Sequence, residues 1–285
     1  MPAEESRAAP PAFGLIVIGD EILSGKRADK HLPKWIELLG ERGLQLAWAE
    51  YVGDDPARIT TVLRRAFDRA LAGGGVAVSC GGIGATPDDH TRQCAAAALG
   101  VPLALHPQAK ALIQERMRDM ARDKGLPYEP ERADNVQRLQ MGLFPEGARI
   151  IPNPYNKIPG FSVLGPAGGG VHFVPGFPVM AWPMMGWALD TYCSAHFRRR
   201  AWQEKSVVIF QAMEAALTPV MEQVEAAHPQ VKVFSLPSVD HPQYGLHIEL
   251  GVKGPSDAVP LAYQDLRQRL APMNLRYGPE LVRDI

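Results

Sequence analysis

"CGGIGATPDDHTRQ", residues 80–93, ends an apolar run with three glycines in four positions and then sets two aspartates side by side. Glycines of this kind let the backbone approach a phosphate closely. The carboxylates of Asp88 and Asp89 repel one. Before the stretch, Val76 to Cys80 is a short continuous apolar run, the mark of a strand buried on both faces of a parallel sheet. After it, the alanine-rich segment from Asp89 to Leu99 predicts a helix. A strand, a glycine turn and a helix in that order predict an α/β domain whose ligand site lies beyond the strand ends.

The same grammar recurs outward. Phe13 to Ile18 is a second apolar run and stops at Gly19-Asp20-Glu21. Leu32, Trp35, Ile36 and Leu39 recur at helical spacing between Asp29 and Arg42, with Gly43 as C-cap. Leu44 to Val52 alternates like a strand and stops at Gly53-Asp54-Asp55-Pro56. A helix follows with Ile59, Val62, Leu63, Ala66, Phe67 and Leu71 on one face, and 73–75 are glycines that end it. Further on, Pro107 to Asp123 reads as a helix and Lys124 to Ala133 as a loop. Phe161 to Leu164 and Val171 to Val174 read as a hairpin, and an aromatic helix runs to about His196. From Ser206 the pattern changes to helix (Met213 to Ala227), strand (Val231 to Leu236), strand (Leu246 to Val252) and helix (Ala258 to Leu270). The expected organisation is a disordered tail over 1–12, an α/β domain over 13–200 and a small α+β domain over 206–278.

Composition narrows the function classes. The chain has 285 residues, 46% of them hydrophobic, enough for a large core, and a formal net charge of −1. That balance lacks the basic footprint of a nucleic-acid binder, so no nucleic-acid partner is expected. The basic cluster Arg198-Arg199-Arg200 reads as a solvated helix end. Three cysteines without a C-x-x-C pair give neither a disulfide framework nor a zinc site, and Cys80 reads as core. Residues 1–12 carry acids and prolines with no apolar segment, unlike a signal peptide. The stretch Val174 to Ala188 is broken by prolines and falls short of the roughly 20 residues that span a bilayer. A cytoplasmic protein with no membrane partner is expected.

All three well-read strands end in glycine plus acid, so a parallel sheet gathers Asp20, Glu21, Asp54, Asp88 and Asp89 at one rim. Singly, Asp54 ahead of Pro56, and Asp88 or Asp89 ahead of a helix, fit N-caps. His31 and His90 read as solvated helix residues. Together the acids answer the question the glycines raise. The N–H groups of Gly81, Gly82 and Gly84 form an anion nest, and a hard divalent cation on the carboxylates reverses the local charge and bridges to phosphate. Oxygen ligands without thiolate favour Mg²⁺ or Mn²⁺ over Zn²⁺. The ligand expected is a phosphorylated small molecule.

Gly19 to Gly25, Val52 to Asp55, Gly81 to Thr91 and Pro175-Gly176-Phe177-Pro178 occur in this order. Together they resemble the molybdopterin-binding domain family of molybdenum cofactor biosynthesis proteins. Within it the likeness is to the branch formed by the amino-terminal domain of competence-damage-inducible protein A. Glu146-Gly147, Asn153-Pro154 and Pro159-Gly160 also look like that branch. The resemblance spans about Phe13 to Ala195. It implies a three-layer α/β/α sandwich with a largely parallel sheet, usually oligomeric, so a homo-oligomer is expected. It implies essential acids at Asp54 and Asp89, with Gly19, Gly81, Gly82, Gly84, Thr86 and Thr91 around the phosphate. Asp20, Glu21, Asp54, Asp88 and Asp89 would hold a divalent metal (Mg²⁺, Mn²⁺ or Co²⁺), with K⁺ beside it. The activity implied is metal-dependent pyrophosphatase action on a dinucleotide such as ADP-ribose or FAD. The alternative is non-hydrolytic binding or transfer of molybdopterin, or of its adenylylated form. Departures are Ala85 in place of a proline, Met180 where a glutamate is frequent, and Asn135 without the usual Asn-x-x-Gln spacing. Asn135 and Gln137 therefore stay outside the expected site. That branch's amidase domain has no counterpart here, so nicotinamide-mononucleotide deamidation is not expected. Gly251-Val252-Lys253-Gly254 matches a KH-type G-x-x-G but follows a strand, which leaves RNA binding a minor alternative.

Overall fold

A computed structural model describes residues 11–166, 168–197 and 202–284. Residues 1–10 of the expected tail and the cluster Arg198-Arg199-Arg200 lie outside them. The chain divides into two compact units, Met1–Phe197 and Arg198–Ile285.

In the first unit the elements run β1 (Phe13–Ile18), α1 (Asp20–Leu23), α2 (His31–Gly40), β2 (Leu46–Val52), α3 (Pro56–Gly73), β3 (Val76–Cys80) and α4 (Thr91–Leu99). Then follow β4 (Leu103–Leu105), α5 (Pro107–Asp123), α6 (Ala133–Leu139), β5 (Leu143–Pro145), β6 (Arg149–Ile151), β7 (Gly160–Leu164), β8 (Gly170–Val174) and α7 (Pro178–Tyr192). The central sheet has the order β2-β1-β3-β8-β7-β6. Its β2–β1, β1–β3 and β3–β8 pairings are parallel, and the β8–β7 and β7–β6 pairings antiparallel. The sheet is largely parallel, as the strand patterns require. Every residue of β1 and β3 is buried, whereas β2, at the sheet edge, alternates.

Side-chain parity builds the three layers. Phe13, Leu15 and Val17 of β1 pack with Trp35 and Leu39 of α2 and with Met184, Met185 and Leu189 of α7. Ile16 and Ile18 point the other way, into a core with Ile59, Leu63 and Phe67 of α3 and Cys94 and Ala95 of α4. Burying each such apolar side chain is worth about 1.5–3 kcal/mol, so both faces of the strand hold the sandwich together.

The register aligns the strand ends. Ile18 pairs with Val52, and Cys80 with both Val17 and Val174. The chain leaves β1 toward β2 on one side and returns to β3 on the other. This reversal opens a crevice beyond the carboxyl ends of β1 and β3.

The second unit comprises β9 (Trp202–Phe210), α8 (Glu214–Ala227), β10 (Lys232–His241), β11 (Gly245–Pro255), α9 (Val259–Leu270) and β12 (Arg276–Asp284). Its antiparallel sheet has the order β10-β11-β9-β12 and shares one apolar core with α8 and α9, a ferredoxin-like βαββαβ unit. The expected range 206–278 cuts into β9 and β12. Gly251 to Gly254 lie inside β11, not in a loop between helices, and a Cβ on Gly251 would stand 2.5 Å from that of Ser206. Among the described residues no helix is long and apolar enough to cross a membrane.

Candidate functional site

A cleft of about 410 Å³ opens at the rim and is lined by Gly19, Glu21, Asp54, the loop residues 81–86, Asp88 and Asp89. Three further segments close it: Arg27, the loop with Asn153 and Asn156, and the turn Pro175 to Phe177. The structure thus brings most of the expected residues to one place, with the corrections that follow.

The helix caps separate the acids. Asp55, not Asp54, caps α3: its side chain accepts the Arg58 N–H at 2.8 Å, with Pro56 in the first turn. Asp54 is thereby released. Its Oδ2 accepts the Asp20 N–H at 2.9 Å, and Asp20 Oδ1 accepts the Asp54 N–H at 3.2 Å. This reciprocal clasp ties the loops after β1 and β2 together. Burial pushes the Asp54 carboxyl above its ordinary value. The Asp20 N–H opposes the rise, and the charges of Asp20, Glu21 and Asp88 add to it. Asp89 does not cap α4 either, since His90 stands at that position without a side-chain cap bond. Instead Asp89 Oδ2 accepts the Thr86 N–H at 2.8 Å and the Thr86 hydroxyl at 2.5 Å, which shapes the loop.

The glycine loop is fastened from behind. The Thr91 hydroxyl donates to Gly81 O at 3.0 Å, the Thr91 N–H to Gly82 O at 3.0 Å, and Arg92 Nη2 to Gly84 O at 2.7 Å. In a trans peptide a carbonyl and the next N–H point in opposite directions. With these three carbonyls held by α4, the N–H groups of Gly82, Ile83 and Ala85 turn away from the helix. Gly82, Ile83 and Ala85 all line the cleft, and no residue of α4 does. Among the described residues none of these three N–H groups has an acceptor. They are donors with the arrangement of an anion cradle.

Several expected ligands drop out for the same geometric reasons. The Gly19 N–H goes to Val52 O and the Gly81 N–H to Val174 O, both at 3.0 Å, continuing the sheet ladder. Gly81 is a glycine because a Cβ there would stand 2.2 Å from Ile18 O. Thr91 is buried, with its hydroxyl committed to Gly81 O, and does not face the cleft. The five acids are not a ready-made metal centre either. Among the described residues no three His, Cys, Asp or Glu side chains are grouped to hold an ion. Asp20 and Asp54 spend oxygens on each other's backbone, and Asp89 spends one on Thr86. Mg²⁺ commonly uses one or two carboxylates and completes its shell with phosphate oxygens and water. The remaining oxygens of Asp54 and Glu21 beside the cradle, with the Asp88 carboxylate that Thr86 and its own N–H hold below its ordinary value, fit a cation that arrives with a phosphate, not one caged beforehand.

The site also contains residues that the sequence pattern did not single out. Arg92 is 4% exposed, and besides Gly84 O its Nη1 reaches Gln140 O at 2.5 Å. Burial lowers its guanidinium from the ordinary value and the nearby Asp89 charge opposes this. Its signal was available: Arg92, Ala95, Ala96 and Leu99 share one helical face, so the lone charge falls on a packed surface. Arg27 brings a cation to the cleft wall, 5.8 Å from the Phe177 ring centre. Gln137, left outside the expected site, donates from Nε2 to Ala85 O at 3.1 Å. Asn135 is instead a scaffold residue, bonded to Glu129 O and Arg138. His31 is buried, not solvated, and its Nε2 meets Gly176 O at 3.1 Å, which fastens the turn before α7. Of the three departures from the resembled branch, Ala85 and Met180 line the cleft and Asn135 does not.

Comparison with known proteins agrees with this architecture. A CinA-like protein of Anaeromyxobacter dehalogenans is 35% identical over 166 residues, 58% of this chain and 37% of that protein. The chain therefore spans little more than a third of the length of such relatives. A protein of Pyrobaculum calidifontis is 27% identical over 258 residues, covering 87% of this chain and 90% of its own. The crystal structure of CinA from Thermoplasma acidophilum, described as a protein of unknown function, matches with a TM-score of 0.51 at 26% identity, over 64% of this chain and 96% of that one. The family model described as "Probable molybdopterin binding domain" matches residues 14–193, and the chain belongs to that family.

Proposed function

We propose that the cleft binds a dinucleotide such as ADP-ribose or FAD together with a divalent cation, and hydrolyses the diphosphate bond in it. The observation that carries this reading is the confrontation of Asp54, its carboxyl pushed up among other acids, with the outward N–H groups of Gly82, Ile83 and Ala85 across one cleft. The cradle holds the oxygens of one phosphate, and Arg27 offsets further negative charge. Asp54 and Asp89 orient water against the neighbouring phosphorus, and Asp54 takes up its proton. The water oxygen forms the new P–O bond while the bridging P–O bond breaks, leaving two monophosphate esters. A bound Mg²⁺, Mn²⁺ or Co²⁺ would screen the carboxylates and supply Lewis acidity at phosphate, with K⁺ as a companion. The acid assignments beyond Asp54, and a homo-oligomeric state, rest on the family resemblance.

One observation favours a second reading. Met180 lies in the cleft where the resembled branch frequently has a glutamate, which fits binding or transfer of molybdopterin, or its adenylylated form, without hydrolysis. Phosphorus NMR of ADP-ribose, FAD, NAD and CoA with each metal decides between them, with pterin titrations alongside. Metal-dependent appearance of monophosphate esters supports hydrolysis. Tight pterin binding with no turnover of any dinucleotide supports the second reading.

A further inference from the structure

Beside the cleft lies a second chamber of about 290 Å³. Ile18, Glu21, Arg27 and Gly176 line both spaces, so the two are contiguous across the end of β1. Their chemistry differs. The cleft sets backbone N–H groups and carboxylates opposite an apolar wall that includes Ile83, Met141, Ile158 and Met180. The chamber's buried side is formed by Val17, Ile18 and Cys80 with the buried ring of His31 beside them, and its exposed side carries Arg27, Ala28 and Lys30. Among the described residues neither Arg27 nor Lys30 has an ion-pair partner. An apolar floor with a few charged groups at its open side is the usual lining of a small-molecule pocket.

We propose that this chamber takes the flat heteroaromatic half of the ligand whose phosphates occupy the cleft. The inference rests on the function proposed above and deepens it, because it gives the ring of that ligand a subsite of its own, apart from the phosphates. A ring buried against Val17, Ile18 and Cys80 removes apolar area from water. Its polar edge meets the Glu21 carboxylate, which accepts from ring amino or N–H groups. Arg27 and Lys30 stand where a cation attracts a ring face. Arg27, shared by both spaces, then contacts ring and phosphate at once, so affinity for the two halves is coupled through one side chain.

Ala28 is exposed and lines the chamber but not the cleft, so Ala28→Trp fills the one without touching the other. Dissociation constants for ADP-ribose, FAD and inorganic pyrophosphate are measured with Mg²⁺ on wild type, Ala28→Leu and Ala28→Trp, with melting curves to confirm folding. The expected result is at least a tenfold loss of affinity for ADP-ribose and FAD in Ala28→Trp and a smaller loss in Ala28→Leu. Pyrophosphate affinity should stay within twofold in both. Unchanged affinity for the ring-bearing ligands overturns the chamber as their site while leaving the phosphate cleft intact. Equal loss for all three ligands overturns the division into two subsites. Wild type that binds none of them refutes the proposed function itself, and the chamber's role falls with it.

Discussion

Replacing Arg92 by methionine separates the cradle from the scaffold that orients it. The guanidinium makes two bonds to backbone carbonyls, at 2.7 Å to Gly84 and 2.5 Å to Gln140. Hydrogen bonds to charged groups contribute about 1.5–3 kcal/mol each. Burial of the charge, which lowers its pKa, and an Nε with no partner among the described residues offset part of this. A net loss of roughly 2–4 kcal/mol is expected, and with about 2–4 °C per kcal/mol for a unit of this size the melting temperature falls by roughly 5–15 °C. The functional loss is separate. Without Arg92 the Gly84–Ala85 peptide is free to rotate, and ADP-ribose affinity should fall 10- to 100-fold at a temperature where the variant is fully folded. Gln137→Ala removes one neutral bond from the same loop and is expected to cost about 1 kcal/mol with less than a threefold change in affinity. Calorimetric titration beside melting curves reads both quantities. A folded Arg92→Met protein with wild-type affinity would refute the claim that α4 orients the cradle.

Asp54→Asn keeps an acceptor for the Asp20 N–H but removes a carboxylate held among like charges. Its melting temperature should be unchanged or higher while metal-dependent turnover disappears. Asp89→Asn retains a bond from Thr86 and should also fold, with turnover lost; near-wild-type activity in either variant removes that acid from the mechanism. Gly82→Val is expected to cost at least about 2 kcal/mol in stability, because Gly82 has φ +67° and an added Cβ would stand 2.1 Å from Thr91 Oγ1. It therefore reports on the fold, and a melting curve matching wild type would contradict the packing. His172 is buried against Ser162 Oγ at 2.8 Å, and burial lowers its pKa from 6.5 to about 4. The unfolded chain thus binds a proton in a range where the folded ring does not. Its stabilising contribution is complete above pH 6.5 and is lost as pH falls toward 4, by up to about 3 kcal/mol. Urea unfolding of wild type and His172→Phe across that range should show the wild type losing more.

The central sheet was legible because its strands are extreme cases. β1 and β3 are buried on both faces and read as unbroken apolar runs, and β2 at the edge alternates. The second unit was only half legible. β9 opens with Trp202 and the polar run Gln203-Glu204-Lys205, which looks like a linker, and β12 carries Gly278-Pro279 at a register shift, which looks like a turn. In the site, strand ends located the acids, but their division of labour depends on single hydrogen bonds. Pro56 at the first helical position does mark Asp55, its immediate predecessor, as the cap. The anchoring by Thr91, Arg92 and Gln137 runs to backbone carbonyls, and a carbonyl leaves no trace in residue type. Which N–H groups face the cleft follows from those bonds and so had to come from the structure.

The most direct test is a titration of ADP-ribose into wild type and Asp54→Asn, each with Mg²⁺ and with EDTA. If ligand and cation meet between Asp54 and the cradle of Gly82, Ile83 and Ala85, wild type should bind at least tenfold more tightly with Mg²⁺ than with EDTA. Asp54→Asn should lose that metal dependence while remaining folded. Equal affinity with and without metal in wild type, undiminished in Asp54→Asn, would contradict the account.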